Sequence, residues 1–155
     1  MQENYRLRGS RVQPLPLGKI SNVANNVGRL FNLNQRNKRN FDHVFESLYE
    51  LGVILNVVDD NEWLFVTKGH CDPSVATISI PQSIYNNACL GERDALAVML
   101  HEMGHLFLAH KPVLHYSQEL LTQEEDSEWQ ADCFADVILK NMGYQTEQLS
   151  FDFYT

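Results

Sequence analysis

The sequence predicts an α+β fold in which a small β-sheet packs on helices. Four stretches place apolar residues at helical spacing, and three short β-rich stretches fall between the second and the third of them. The chain has 155 residues, of which 44% are hydrophobic, and this is enough to bury one core. We therefore predict a single domain over residues 19–155, preceded by a basic, extended segment over residues 1–18.

Apolar stripes predict the first two helices. After an extended, proline-containing stretch over residues 14–17, the first helix is predicted by Ile20, Val23, Ala24, Val27, Leu30 and Phe31. Asn40 is a suitable N-cap for a second helix, and Gly52 follows the last apolar residue of that helix in the usual C-terminal position.

Three stretches predict strands. Residues 53–58 and 63–67 are rich in β-branched and aromatic side chains, and the polar cluster 59–62 between them suggests a hairpin. Residues 76–80 alternate polar and apolar side chains and end at Pro81, which predicts a third strand.

Composition narrows the class of protein. The longest apolar run is too short to span a membrane, and charged residues stand where a signal peptide would be apolar. We therefore expect a cytosolic protein with no membrane partner. Cys71, Cys89 and Cys133 are odd in number and form no Cys-x-x-Cys pair, which favours ordinary buried thiols over disulfides or a zinc ribbon.

Charge is unevenly distributed along the chain. Residues 1–40 carry eight basic side chains and one acidic one, whereas the remainder carries four basic and nineteen acidic ones. Aromatic residues are not interleaved with the basic ones as they are in many nucleic-acid-binding segments. We therefore expect a solvated basic surface near an acidic one, and no nucleic-acid partner.

The most informative stretch is the apolar helix predicted over residues 95–109. Its strongly polar side chains are gathered within one and a half turns, at His101, Glu102 and His105. Histidines four residues apart lie on one helix face, about 6 Å apart along the axis, so their rings can converge on one metal ion. This His-Glu-x-x-His pattern predicts a zinc site in which Glu102 acts as the general base on a zinc-bound water.

The alternative is that both histidines are core residues satisfied by hydrogen bonds. Two imidazoles flanking a glutamate in an otherwise apolar helix favour the metal, because unpaired polar groups in a core cost a few kcal/mol each. Gly104 costs about 1 kcal/mol relative to alanine in a helix, which suggests that another backbone passes close to it.

A catalytic zinc needs a third protein ligand. His110 lies five residues after His105 rather than the six that the metzincin pattern requires, and His115 or Tyr116 would have to approach from a loop. The remaining candidate is Glu128, which heads the apolar stripe of a helix that ends at Gly143.

Other residues near Glu128 have simpler interpretations. Asp132, one turn later, is the less favoured alternative to Glu128 as ligand, and it could instead accept the outer N–H of a zinc-bound histidine. Thr122 and Glu125 are predicted to form a capping box, with Glu124 as a further first-turn acid. Cys133 is offset from the Glu128 face and is predicted to pack in the core.

Three runs of the chain together resemble the ImmA/IrrE family of metallopeptidases. They are residues 76–80, residues 92–94 leading into 99–110, and residues 128–135. The resemblance extends over roughly residues 20–142 and is most specific in the two metal helices. It implies a zincin-like fold and a gluzincin-like zinc endopeptidase of the bacterial or phage cytosol, which makes limited cuts in a transcriptional repressor.

The resemblance also implies roles for individual residues. His101 and His105 match the metal histidines, Glu102 matches the general base, and Glu128 matches the acidic ligand. The family's second metal helix commonly ends with a proline that residues 137–141 lack. The sequence also has no DNA-binding helix-turn-helix, so we expect any repressor to be a separate chain.

We therefore predict zinc-dependent cleavage of a protein substrate. The substrate is expected to lie extended along the strand predicted over residues 76–80, with His115 or Tyr116 as the oxyanion partner. The alternatives are a zinc-bound regulatory or binding protein that does not cleave, and a toxin-type effector protease with the same chemistry.

Overall fold

The computed structural model describes residues 5–112 and 121–146, and the fold is α+β, with five helices and a three-stranded mixed sheet. The helices are α1 (Leu17–Leu30), α2 (Asp42–Glu50), α3 (Gln82–Cys89), α4 (Arg93–Phe107) and α5 (Ser127–Asn141). The strands are β1 (Ile54–Val58), β2 (His70–Asp72) and β3 (Thr77–Pro81). None of the helices in the described part of the chain has the length and apolar character of a membrane span.

The first two helices lie where their apolar stripes predict them. Ile20, Ala24 and Val27 of α1 are buried, and Gly52 adopts a φ of 87° just after α2, as expected for a C-terminal glycine. The predicted N-cap is wrong, because Phe41 occupies the position before α2 and no side chain caps it. Asn40 offers only its backbone carbonyl, which accepts from the N–H of His43 at 3.3 Å.

The sheet has the order β1-β3-β2, so β3 is its central strand. β1 runs parallel to β3 with Leu55 opposite Ile78, and β2 runs antiparallel to β3 with Cys71 also opposite Ile78. Ile78 and Ile80 of β3 are completely buried, which explains why this strand was clear in the sequence.

The predicted hairpin between residues 53–58 and 63–67 is wrong. Residues 63–67 form no strand, and their side chains Leu64 and Val66 are almost fully exposed. β1 pairs instead with the more distant β3, whose two isoleucines are buried in the core. The hairpin that does form joins β2 to β3 through a short 3-10 turn at Pro73–Val75. Asp60, within the acidic cluster, accepts a hydrogen bond from the backbone N–H of Ser83 in the first turn of α3.

Helices α4 and α5 pack closely against each other at Gly104. A Cβ atom at this position would lie 3.1 Å from the Cα and 3.2 Å from the carbonyl oxygen of Ala131. These neighbours are backbone atoms, so a side chain here would push the two helices apart. The close passage of another backbone, predicted from the sequence, is therefore present.

The N-terminal segment, residues 5–16, runs beside the start of α5. Val12 N–H donates to the carbonyl of Glu125 at 2.8 Å, and Leu15 N–H donates to that of Glu124 at 3.0 Å. Arg11 forms an ion pair of 2.6 Å with Glu125. Two arginines of the predicted basic surface, Arg8 and Arg11, are thus paired with acids of the 125–132 stretch.

Candidate metal centre

Helix α4 brings three polar side chains together on one face. Glu92 caps the helix by accepting from the N–H groups of Asp94 and Ala95, and five of the apolar side chains of the helix are buried in the core. One ligand atom from each of His101, Glu102 and His105 lies within 4.8 Å of the other two. The two imidazole Nε2 atoms are 3.1 Å apart. These three residues could therefore hold a metal ion.

Helix α5 adds a second carboxylate to this group. The Glu128 oxygens lie 2.6 Å from the Nε2 of His105 and 3.3 Å from the Nε2 of His101. The completely buried Asp126 caps α5 by accepting from the N–H of Glu128, and this places Glu128 in the first turn. Glu128 is therefore a further residue that could hold the ion.

The outer nitrogen of His101 is held by an acidic side chain. Its Nδ1 lies 2.7 Å from one oxygen of Asp132, and the other oxygen of Asp132 forms an ion pair of 2.9 Å with Arg8. Because a carboxylate only accepts, the Nδ1 of His101 carries a proton here. This leaves Nε2 as the ring atom that faces Glu128 and His105.

The outer nitrogen of His105 faces another histidine. Its Nδ1 lies 2.8 Å from the Nδ1 of His110, and the Nε2 of His110 lies 2.7 Å from the side-chain oxygen of Gln130. His110 thus contacts the Nδ1 side of the His105 ring, whereas Glu128 contacts the Nε2 side. His110 is therefore not one of the residues that converge on the two Nε2 atoms.

Burial and the neighbouring charges shift the pKa values of several of these groups in opposite directions. Burial alone would lower the pKa of His101, but the carboxylates of Asp132 and Glu128 outweigh it and raise the pKa to about 10. Burial would likewise raise the pKa of Glu128, but its contacts with both histidines hold the pKa below its usual range. Burial lowers the pKa of His110 to about 4, so this imidazole is neutral at physiological pH.

Glu102 occupies a different environment from Glu128. It is only 6% exposed, and burial raises the pKa of its carboxyl group although His101 and His105 oppose the shift. The backbone of Gly69 lies directly against it, since a Cβ atom there would be 3.1 Å from Oε2 of Glu102. The result is a partly desolvated carboxyl group near the imidazole pair, as a general base requires.

These side chains open into a cleft of about 920 Å³. Its walls come from the N-terminal segment at Gly9 and Ser10, from residues 67–74 with β2, from the stretch that follows α4, and from the first turns of α5. The prediction that substrate pairs with residues 76–80 is wrong. These residues lie in β3, and both edges of β3 are already paired, with β1 and β2. β2 is the edge strand that lines the cleft.

Several predicted neighbours have other roles. Cys133 is 4% exposed and packs in the core, as predicted. Thr122 and Glu125 form the predicted capping box, but it begins a 3-10 turn at Gln123–Glu125 rather than α5 itself. Residues His115 and Tyr116 lie outside the described residues.

Three residues at the site were missed or given another role by sequence reasoning. The sequence carried no local signal for the roles of Arg8 and Gln130. Arg8 pairs with Asp132, more than a hundred residues away, and Gln130 bonds to His110, twenty residues away. His110 was weighed only as a metal ligand. No local signal indicated its position, because Ala109 closes the helix in a left-handed conformation that alanine rarely adopts.

Comparison of the chain with protein-family models, curated proteins and solved structures gave no match.

Proposed function

We propose that this chain is a zinc-dependent endopeptidase that makes limited cuts in a protein substrate, a transcriptional repressor or another regulator on a separate chain. The observation that carries the proposal is the convergence of His101, His105 and Glu128 beside a second, buried carboxyl group, Glu102, within an open cleft. Membership of the ImmA/IrrE family and a zincin-like fold form part of this proposal, and the motif residues quoted above support them.

The donor atoms fit zinc. Two imidazole nitrogens and one carboxylate oxygen form a known catalytic zinc set, and ligand atoms on a tetrahedral zinc ion lie about 3.3 Å apart. Here the two Nε2 atoms are 3.1 Å apart, and Glu128 approaches them with different oxygens, Oε1 at 3.3 Å from His101 and Oε2 at 2.6 Å from His105, the latter a hydrogen-bond distance. The outer nitrogen of each histidine is already bonded, to Asp132 or to His110, which is the support that zinc-binding histidines normally have.

Glu102 is the residue we assign to proton transfer. Bound at His101, His105 and Glu128, zinc would supply Lewis acidity that acidifies water and polarises the scissile carbonyl. Glu102 takes the proton of the attacking water and later delivers it to the leaving amine. Its burial and raised pKa suit both roles, because the carboxyl group must accept the proton and then release it.

The substrate is proposed to lie as an extended segment against β2. This short strand has one edge paired with β3 and lines the cleft beside the metal group, so its other edge is the one suited to backbone pairing. The preceding residue, Gly69, packs directly against Glu102, and a side chain there would displace the carboxyl group, since a Cβ atom would lie 3.0 Å from its Cγ and 3.1 Å from its Oε2.

The experiment compares the zinc-loaded protein with its Glu102→Gln variant on a proteome-derived peptide library, with new N-termini counted by mass spectrometry. We expect zinc-dependent cleavage by the unaltered protein, and a loss of several orders of magnitude in the variant, because only proton transfer is removed. The variant should also retain an uncut protein partner in a pull-down. Cleavage at equal rates by both proteins, or by neither, would contradict the proposal.

A further inference from the structure

A chain of hydrogen bonds leads from His105 to the buried side chain of Gln130. It runs from Nδ1 of His105 to Nδ1 of His110 at 2.8 Å, and from Nε2 of His110 to Oε1 of Gln130 at 2.7 Å. Gln130 is 2% exposed, so its amide cannot turn to water for alternative partners. The orientation of this amide therefore decides where the protons of both imidazoles lie.

Two backbone carbonyls fix the orientation of Gln130. Its Nε2 lies 2.9 Å from the carbonyl oxygen of Gln13 and 2.7 Å from that of Glu124. Carbonyl oxygens only accept, so the amide nitrogen donates one hydrogen to each. The reverse orientation would place an oxygen against two carbonyl oxygens and would remove the amide donor from both of them. Oε1 must therefore face His110, where it acts as an acceptor.

The acceptor oxygen of Gln130 fixes the ring proton of His110 first and that of His105 next. Nε2 of His110 has to donate to Oε1, and none of the residues in 5–112 and 121–146 gives His110 a hydrogen-bonded carboxylate that would favour a second ring proton. The Nδ1 of His110 is then an acceptor, and the Nδ1 of His105 donates to it. The remaining nitrogen of His105, Nε2, lies 2.6 Å from Glu128 and is the ring nitrogen left for a metal.

We propose that His110 and Gln130 are positioning residues that hold His105 in the tautomer able to bind a metal through Nε2. This inference rests on the proposed function, since it concerns the metal site. An uncommitted imidazole divides its proton between two nitrogens, and a proton on Nε2 would block that nitrogen as a ligand. The backbone carbonyls of Gln13 and Glu124 thus control a ring on a different helix.

The end of α4 places His110 where this role requires it. Ala109 adopts a left-handed φ of 53°, the N–H of Ala109 bonds to the carbonyl of Leu106 at 3.1 Å, and the N–H of His110 bonds to that of His105 at 3.1 Å. This pattern is a Schellman motif, which turns the chain back over the last helical turn. An alanine in this conformation costs about 1 kcal/mol or more, so the turn is held against a local preference.

The test uses three variants and two measurements. His110→Phe keeps the ring volume but removes the acceptor, whereas His110→Asn keeps an acceptor oxygen near the position of Nδ1. His43→Phe is the matched control, because His43 lies on α2 and bonds to the backbone carbonyl of Phe31 at 2.9 Å. Zinc affinity is measured by competition with a chelator, and the ring protons of His105 and His110 are located by long-range ¹H–¹⁵N spectra.

We expect His110→Phe to bind zinc about 10- to 100-fold more weakly, as is typical when the partner of a metal-binding histidine is lost. His110→Asn should recover most of that loss, and His43→Phe should leave affinity unchanged. In the unaltered protein, His110 should be protonated on Nε2. A proton on Nδ1 of His110 instead, or unchanged zinc affinity in His110→Phe, would overturn the inference.

The outcome is separable from that of the proposed function. If the unaltered protein bound zinc but cut no peptide, the proposed function would fail while the variant series still decided this inference. If the unaltered protein bound no zinc, the proposed function would fail. The tautomer of His110, measured in the metal-free protein, would then decide the inference about His110 and Gln130.

Discussion

Asp132 joins the imidazole of His101 to the N-terminal segment of the chain. One of its oxygens accepts from the Nδ1 of His101 at 2.7 Å, and the other pairs with the guanidinium of Arg8 at 2.9 Å. Tyr5 and the backbone N–H groups of Arg8 and Gly9 all bond to the buried Asp126, so the segment is fixed on both sides of this ion pair. The N-terminal segment is thus a structural part of the candidate metal centre.

Arg8→Gln is expected to weaken zinc binding by about 3- to 10-fold, less than the loss of a direct partner of a ligand, because Arg8 acts one contact further out and is partly exposed. Arg11→Gln is the matched control. It removes the same charge from the same segment, but its partner Glu125 does not touch a histidine. Equal losses in the two variants would show a general charge effect instead of positioning through Asp132.

Asp132→Asn is expected to reduce zinc affinity or cleavage rate by about 10- to 100-fold. The amide can still accept from His101, but it lacks the charge that makes the imidazole a stronger ligand. Glu124→Gln should change neither quantity, because Glu124 reaches the site only through its backbone carbonyl. The comparison is a chelator-competition titration of both variants. An unchanged zinc affinity in Asp132→Asn would contradict a role for Asp132 in supporting His101 as a ligand.

Gly104→Ala is expected to lower both the free energy of unfolding and the zinc affinity. The added methyl group would meet backbone atoms of Ala131, and overpacking of about 1–3 kcal/mol outweighs the gain of about 1 kcal/mol in helix propensity. Gly28→Ala in α1 is the control, since a Cβ atom there has nothing within 4 Å, and it should stabilise the protein. Urea unfolding of both variants tests the pair, and a stabilised Gly104→Ala would contradict the close contact of α4 with α5.

Zinc binding is expected to release about one proton from His101 at pH 8. The pKa of this imidazole is raised to about 10 without metal, so it is protonated at pH 8, whereas a ligand must be neutral. Zinc affinity should accordingly rise with pH up to about 10, where the imidazole loses its proton without metal. Calorimetric titrations in buffers of different ionisation enthalpy count the protons, and a binding enthalpy independent of the buffer would be inconsistent with this protonation state.

Local patterns were sufficient to predict much of the fold. The apolar stripes of α1, α2, α4 and α5 lie within single helices, and β1 and β3 have strongly β-forming sequences. Helix α3 was missed because Ala88 is its single buried residue, so no stripe marks it. Strand β2 was missed because it has three residues and depends on its pairing with β3, and residues 63–67 had strand composition without a partner.

The candidate site likewise contains residues that local spacing predicts and residues that only tertiary packing brings together. His101, Glu102 and His105 share one helical turn and a half, so their spacing alone brings them together. The approach of Glu128 and Asp132 depends on how α5 packs on α4, which the sequence suggested through Gly104 and the second apolar stripe. The contacts of Arg8 and Gln130 involve the N-terminal segment, more than a hundred residues away, and no local pattern encodes them.

The assignment of Glu128 as ligand and Glu102 as base is the central claim, and a zinc titration of Glu128→Gln beside Glu102→Gln tests it most directly. The two substitutions each remove one carboxylate charge from the same cleft, so general electrostatics cannot separate them. We expect Glu102→Gln to bind about one zinc per chain as tightly as the unaltered protein, and Glu128→Gln to bind it at least about 100-fold more weakly, because a neutral amide replaces an anionic ligand. Equal affinities in the two variants, or the weaker binding in Glu102→Gln, would contradict the account.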